Sequence, residues 1–201
     1  MINKNFGIIG MGHIGKRHAS IILGNKESTL VATCDIAIGS ASCFRPTYKI
    51  HKEMIKAHPE MDAVCICTPN GLHAQMAIDC LEAGLHVIIE KPLGLTKKEC
   101  EDVIHTGLQN GRHVFAVMQN RYSPPSVWLK EIIDEGLLGD ICIAQINCYW
   151  NRDGRYYKKG GWKGTKLLDG GTLFTQFSHF VDIMYWLLGD VTNIHSRLRD
   201  F

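Results

Sequence analysis

Three short stretches of this chain are apolar at nearly every position: FGII at 6–9, AVCI at 63–66 and HVII at 86–89. A strand that is apolar on both faces must be buried on both faces. The segments between them carry helical periodicity, so the pattern dictates a parallel sheet with helices packed on each side. HIGKRHASIILG reads as a helix closed by Gly24, TLVATCD as a strand ending in Asp35, and HKEMIKAHPEM as a short helix stopped at Pro59. HAQMAIDCLEAG is a helix with Gly84 as its stop. TKKECEDVIHTGLQNG is another, with Thr96 as N-cap and Gly111 past its end, and HVFAVMQ is a further strand. IAIGSASCFRPTYKI is poorly patterned and reads as loop with a ragged helix. Residues 1–120 are therefore expected to form a doubly wound α/β domain.

The character changes after NRYSPP. PSVWLKEIIDEGLLG reads as a helix, DICIAQINCYW as a long strand with partial alternation, and NRDGRYYKKGGWKGTKLLDGG as a polar, aromatic, glycine-rich loop. TLFTQFSHFVDIMYWLLG is a helix and VTNIHSRLRDF a final strand. Two strands and two helices leave sheet edges unpaired. The expectation for 121–201 is an incomplete α+β domain, covered by another chain or cut short.

Composition narrows the function classes. The 201 residues carry a net charge of +2 with no basic run, which argues against nucleic acid as the main partner. No apolar run approaches the roughly 20 residues of a membrane span, and no export signal is seen at the N-terminus. The eight cysteines fall mostly within apolar segments and form no CxxC. They read as small hydrophobes in a reducing cytoplasm, with no metal site.

The glycines GMGHIG follow the first strand and open the first helix, and Asp35 ends the next strand. This is the full context of a dinucleotide-binding fingerprint. Gly10 permits the tight turn, Gly12 lets a pyrophosphate approach, and Gly15 lets helix and strand pack closely. The helix N-terminus, with His13 and Ile14 in its first turn, offers free N–H groups to phosphates. Asp35 can accept both ribose hydroxyls of NAD and would repel the 2′-phosphate of NADP, and Ile36 beside it offers no cation. The plain alternatives are a turn without ligand and an aspartate that only ends a strand.

The stretch VCICTPNGLHAQMAIDCLEAGLHVIIEKPLGLT resembles the Gfo/Idh/MocA oxidoreductases. QNRYSPP, WLKEIIDEGLLGD and DGGTLFTQFSHFVDIMYWLLGD extend the resemblance over essentially the whole chain. It implies an NAD(P)-binding Rossmann domain followed by a substrate domain on an open, mostly antiparallel sheet. It also implies sugar-type substrates, hydride transfer between a carbinol and the nicotinamide, and a homo-oligomer built through the C-terminal sheet. Lys91 of EKP would lie beside the substrate hydroxyl and His179 would work with it, with Asp182 three positions on. Cofactor contacts carry over to Thr68, Pro69, Asn70, His73, Glu90, Lys91 and Asn120. Two positions depart from the family pattern: Thr175 stands where many relatives carry Asp, and Phe177 where Gly is common. The region after residue 120 is also shorter than in relatives, as in a truncated form.

Each residue has a bland reading beside the functional one. Lys91 can be a solvated strand-end lysine, and His179 a core histidine satisfied by hydrogen bonds. His179 and Asp182 share a helix face at i, i+3, with Thr175 one turn earlier. Asn70 can cap the helix beginning near Leu72. Arg121 is open between an ion pair joining domains and a reach to the nicotinamide. Pro92 is a candidate for a cis bond. In WNRDGRYYKKGGWKGT, Trp162 and Lys163 suit a sugar or nucleotide-sugar ligand, or belong to a solvated basic loop. Substrate contacts are assigned to Lys91, Arg121, Trp162, Lys163, Thr175 and His179. The chain reads as an NAD-dependent oxidoreductase acting on CH–OH groups. The rival is a catalytically inactive cofactor-binding fragment serving as a scaffold or assembly partner.

Overall fold

The computed structural model describes residues 3–37 and 47–197. Cys43 and Pro46 of the poorly patterned stretch, and residues 198–201 of the expected final strand, lie outside the described residues. Two compact units emerge. One comprises Met1–Val117 with Arg152–Thr175, and the other Met118–Asn151 with Gln176–Phe201.

The first unit holds a sheet of strands β1 (Lys4–Ile9), β2 (Ser28–Cys34), β3 (Thr47–Tyr48), β4 (Ala63–Ile66), β5 (His86–Glu90) and β6 (Val114–Val117). All pairs are parallel, in the order β3-β2-β1-β4-β5-β6. Helices α1 (His13–Gly24), α2 (His51–Ala57), α3 (His73–Glu82) and α4 (Lys97–Gln109) connect the strands. The apolar strands are covered on both sides, as their composition requires. Ile9, Val64, Ile66, Val87 and Ile89 pack with Ala77, Leu81 and Val103, while Ile8, Cys65 and Leu30 pack with Ala19 and Ile22. Thr96 accepts from the Glu99 N–H and Glu99 answers at the Thr96 N–H, a complete capping box at the start of α4. The seven cysteines among the described residues are free. Burial pushes the thiols of Cys34, Cys65 and Cys80 up to about 11, 12 and 12, so they behave as inert core groups.

The second unit contains α5 (Pro124–Asp134) and α6 (Ser178–Leu188). Here two expectations need correction. DICIAQINCYW forms no strand, and residues 191–197 of the final segment form none either. An isolated extended segment leaves its N–H and C=O groups without a ladder, and no strand among the described residues forms one with either segment. The mostly antiparallel sheet is therefore absent among the described residues. The last helix also starts later than its pattern suggests. Leu173–Phe177 forms a π-helical turn and α6 follows from Ser178. Thr175 therefore sits in a π turn and not one α turn before His179. Among the described residues, no helix is long and apolar enough to cross a membrane.

Candidate active site

The strand order reverses between β1 and β4, and in doubly wound sheets the crevice at the carboxyl ends of such strands is where ligands bind. The glycine loop lies there. Gly10 has φ of 92°, and a Cβ on it would stand 2.6 Å from the Cys67 carbonyl oxygen. A Cβ on Gly15 would stand 1.9 Å from the Gly10 carbonyl oxygen. Both glycines are demanded by the protein's own packing. Gly12 differs: its φ is −68° and nothing lies within 4 Å of a Cβ built on it. Among the described residues no contact requires glycine at that position, and the space beside it is open. The helix that follows has no side-chain cap and no acid in its first turn, so its N–H groups and dipole face that space. The cradle fits a pyrophosphate.

Asp35 is tied into the same loop. Its Oδ2 accepts the Met11 N–H at 2.6 Å and its Oδ1 the Ala37 N–H at 2.8 Å. A carboxylate offers about four acceptor sites, so a ribose diol can still be held. The strand-end role therefore leaves acceptor capacity for a ligand in the same residue.

Beyond β4, Asn70–Leu72 forms a single 3₁₀ turn before α3. Asn70 does not cap α3. Its amide instead donates to the Asp169 carbonyl at 2.8 Å, across a sequence gap of 99. His73 is 1% exposed. Its Nδ1 lies 2.7 Å from the Pro92 carbonyl and its Nε2 2.8 Å from the Thr68 carbonyl, so the ring bridges the TPN and EKP turns. Glu90 meets His18 of α1 at 2.9 Å. The Lys91–Pro92 peptide is cis.

Lys91 leaves the carboxyl end of β5, and its Nζ donates to the Thr175 carbonyl. Burial holds its amine below the ordinary lysine range, while the charges of Glu90 and Asp169 pull it back up. The Thr175 hydroxyl turns inward to the Gly171 carbonyl at 2.8 Å. In the loop, Lys163 Nζ sits 3.8 Å from the Tyr156 ring centroid and 6.0 Å from that of Trp162, and Arg152 also approaches Tyr156. Burial, with Arg152 beside it, lowers the Lys163 amine. The loop's cations and rings are thus engaged with one another.

Within the second unit, Arg121 forms a bidentate pair with Asp182, at 2.8 Å from Nε and 2.5 Å from Nη2. Asp182 raises the Arg121 guanidinium further above its ordinary range. Gln119 Nε2 lies 3.4 Å from Nε2 of the buried His179. Asn120 lies in the turn Gln119–Tyr122, where its carbonyl accepts from Ser123. Two residues of consequence escaped the sequence reading, His18 and Asp169. Both lie inside stretches already quoted, His18 in HIGKRHASIILG and Asp169 at the start of DGGTLFTQFSHFVDIMYWLLGD, but only the pairing with Glu90 and the clasp with Asn70 single them out.

Residues 4–117 match the model of the family described as "Oxidoreductase family, NAD-binding Rossmann fold". The chain belongs to the Gfo/Idh/MocA oxidoreductase family. Residues 127–201 match that family's C-terminal domain. Inositol 2-dehydrogenase of Salmonella typhimurium is 30% identical over 192 residues, covering 92% of this chain and 54% of that protein. D-glucoside 3-dehydrogenase of Escherichia coli is 27% identical over 193 residues, covering 90% and 53%. The chain thus spans about half the length of the curated relatives it matches. The WlbA dehydrogenase of Bordetella pertussis, solved with NADH and UDP-GlcNAcA, superposes with a TM-score of 0.88 at 30% identity, over 94% of this chain and 56% of that one. Within this family, NAD-binding Rossmann folds are thus paired with inositol, glucoside and nucleotide-sugar dehydrogenases.

Proposed function

We propose that this chain carries the cofactor-binding and catalytic motifs of an NAD-dependent oxidoreductase acting on a CH–OH group of a sugar, sugar derivative or nucleotide sugar. The observation that carries the reading is Lys91: a partly buried amine, lowered by burial, at the carboxyl end of β5 and fastened to the Thr175 carbonyl. A bound nicotinamide supplies the two-electron hydride acceptor. As hydride leaves the carbinol carbon, the hydroxyl proton passes to neutral Lys91 and the carbon becomes a carbonyl. In the reverse direction the Lys91 ammonium returns that proton. His179 is assigned the supporting part that family resemblance gives it, and Arg121, Trp162, Lys163 and Thr175 are assigned to substrate binding. Gly10, Gly12, His13, Ile14 and Gly15 hold the pyrophosphate, with Thr68, Pro69, Asn70, His73, Glu90 and Asn120 holding or shaping the rest of the cofactor site.

The test is a screen of inositols, glucosides and UDP-sugars with the full-length protein, following NADH absorbance. Lys91→Met should lower turnover about a hundredfold or more, while NAD affinity stays within a few-fold. Turnover near that of the unmutated protein, or a defect confined to NAD binding, sinks the assignment. Asp35 makes NAD the preferred cofactor over NADP. Asp35→Ser should narrow that preference, since it removes both the diol acceptor and the repulsion of a 2′-phosphate. Fluorescence titration with both cofactors reads this out, and equal binding of the two by the unmutated protein contradicts it.

A second reading, an inactive cofactor-binding scaffold, is favoured by Thr175, whose hydroxyl is turned to Gly171 and which offers no carboxylate. NAD binding without turnover of any compound in the screen would support it.

A further inference from the structure

His179 is the second residue of α6, which begins at Ser178 without a side-chain cap. A side chain so near a helix start takes its direction from whatever fixes that end of the helix. The fixing groups lie in the turn Gln119–Tyr122 of the same compact unit. Gln119 Nε2 lies 3.4 Å from His179 Nε2. Arg121 gives Nε and Nη2 to the two carboxylate oxygens of Asp182, at 2.8 and 2.5 Å.

The spacing makes these contacts a clamp. His179, Asp182 and Trp186 follow one another at three and four residues, so they share one face of α6. Gln119 and Arg121 stand two apart in the turn. Contacts separated along both elements hold the helix against rotation and against sliding, whereas one contact would leave it free to swing. Trp186 closes the same face, with its ring centroid 5.8 Å from the Arg121 guanidinium carbon and 6.0 Å from Lys130 Nζ of α5. The Asp182 side chain is only 11% exposed. A planar guanidinium fork holds a sheltered carboxylate in one orientation, which a lysine ammonium cannot do.

We infer that Arg121 and Asp182 are a positioning pair for His179: their forked ion pair fixes the imidazole-bearing face of α6 on the Gln119–Tyr122 turn. A guanidinium has five N–H donors, and the pair uses two of them. The pairing therefore does not exclude the substrate contact assigned to Arg121 above. The catalytic consequence rests on the reading of His179 as a supporting group in the proposed reaction; the effect on the imidazole itself does not.

The test uses the full-length protein labelled with ¹⁵N at histidine, with the His179 ring signals assigned by His179→Gln. Asp182→Asn keeps the shape of the side chain and removes its charge. Arg121→Lys keeps the charge and loses the fork. Each should shift or split the His179 ring signals, while those of His86, in the other unit, stay in place. Either change opens the same clamp, so the double variant should match the single ones and not add to them. A fall in melting temperature with the His179 signals unmoved in both variants would make the pair merely structural and overturn the inference. Should the variants not fold, the unmutated protein still decides. The Arg121 Nε proton must be protected from exchange, and the Gln119 amide protons must show a nuclear Overhauser contact to the His179 ring. Absence of either overturns the inference.

Once the screen yields a substrate, Asp182→Asn carries the kinetic arm, because Arg121 has a substrate contact of its own. Its kcat should fall about tenfold with KM within about twofold, as expected for a misplaced group and not for a lost binding contact. Shifted signals with kcat unchanged would overturn the catalytic part. Shifted signals in a protein that turns over no substrate would support the positioning of the imidazole while removing the dehydrogenase reading.

Discussion

β5 and the stretch 140–150 are built from similar residues. One is HVIIE and the other DICIAQINCYW, both rich in isoleucine and other strand formers. β5 lies between β4 and β6 in register, with Ile89 fully buried. The second stretch makes no ladder, and Ile143 and Tyr149 are 86% and 88% exposed. Strand propensity is the same kind of signal in both. What differs is whether the chain supplies neighbours for the backbone groups, and that depends on tertiary pairing and not on the segment itself. The βαβ units of the first region bring their own partners and their own helical cover.

That contrast can be broken most directly at the glycine loop, where the first region's fit is tightest. Gly15→Ala places a methyl against the Gly10 carbonyl. It should destabilise by about 4 kcal/mol or more, or prevent folding. Gly12→Ala meets nothing in the protein, so thermal stability should stay within about 0.5 kcal/mol. NAD affinity should nevertheless fall about tenfold or more, a loss of about 1.4 kcal/mol. Equal melting temperatures for the two variants would show that the loop is not packed as described.

A smaller effect compares the two isoleucines. Ile89→Ala removes a buried side chain from the sheet core and should cost about 2–5 kcal/mol. Ile143→Ala, at an exposed position, should change stability by less than about 0.5 kcal/mol. Denaturant melts of both variants decide this. A cost at Ile143 close to that at Ile89 would mean that the stretch is buried by partners in the folded protein.

The smallest effect lies at the opposite end of the sheet from the glycine loop. His86 Nδ1 accepts the His113 N–H at 2.9 Å, and the two rings stack. Burial, then Arg112, His113 and Lys4, hold His86 below its usual 6.5, with Asp62 opposing them. The unfolded chain therefore binds a proton at a pH where the folded chain does not. Stability from this site is full above about pH 6.5 and declines as pH falls toward the folded value. His86→Gln retains an acceptor without titrating, so it should flatten the fall in melting temperature between pH 8 and pH 5. An unchanged slope would exclude His86 as a contributor.

Much of the fold could be read locally. The boundaries of α1, the Thr96 N-cap and the conformational demands on Gly10 and Gly15 follow from backbone geometry within a few residues. Asn70 shows where such reading stops. It carries a good N-cap side chain beside a helix start, yet its amide goes to Asp169. A local cap competes with any distant acceptor that the fold brings near, and spacing along the chain cannot reveal the distant one. The same holds for Thr175: a continuous helical pattern predicted an α turn, and the π turn at 173–177 took its place.

The sequence by itself determined the parallel sheet, the nucleotide loop and the family, because each rests on periodicity or on motifs within short stretches of chain. Tertiary structure decided the His73 bridge between two turns, the Arg121–Asp182 pair, the Asp169 clasp and the failure of 140–150 to become a strand. Hydrogen bonds and ion pairs between distant residues form only where folding has already brought their partners within about 3 Å, and a pattern along one dimension does not record that distance.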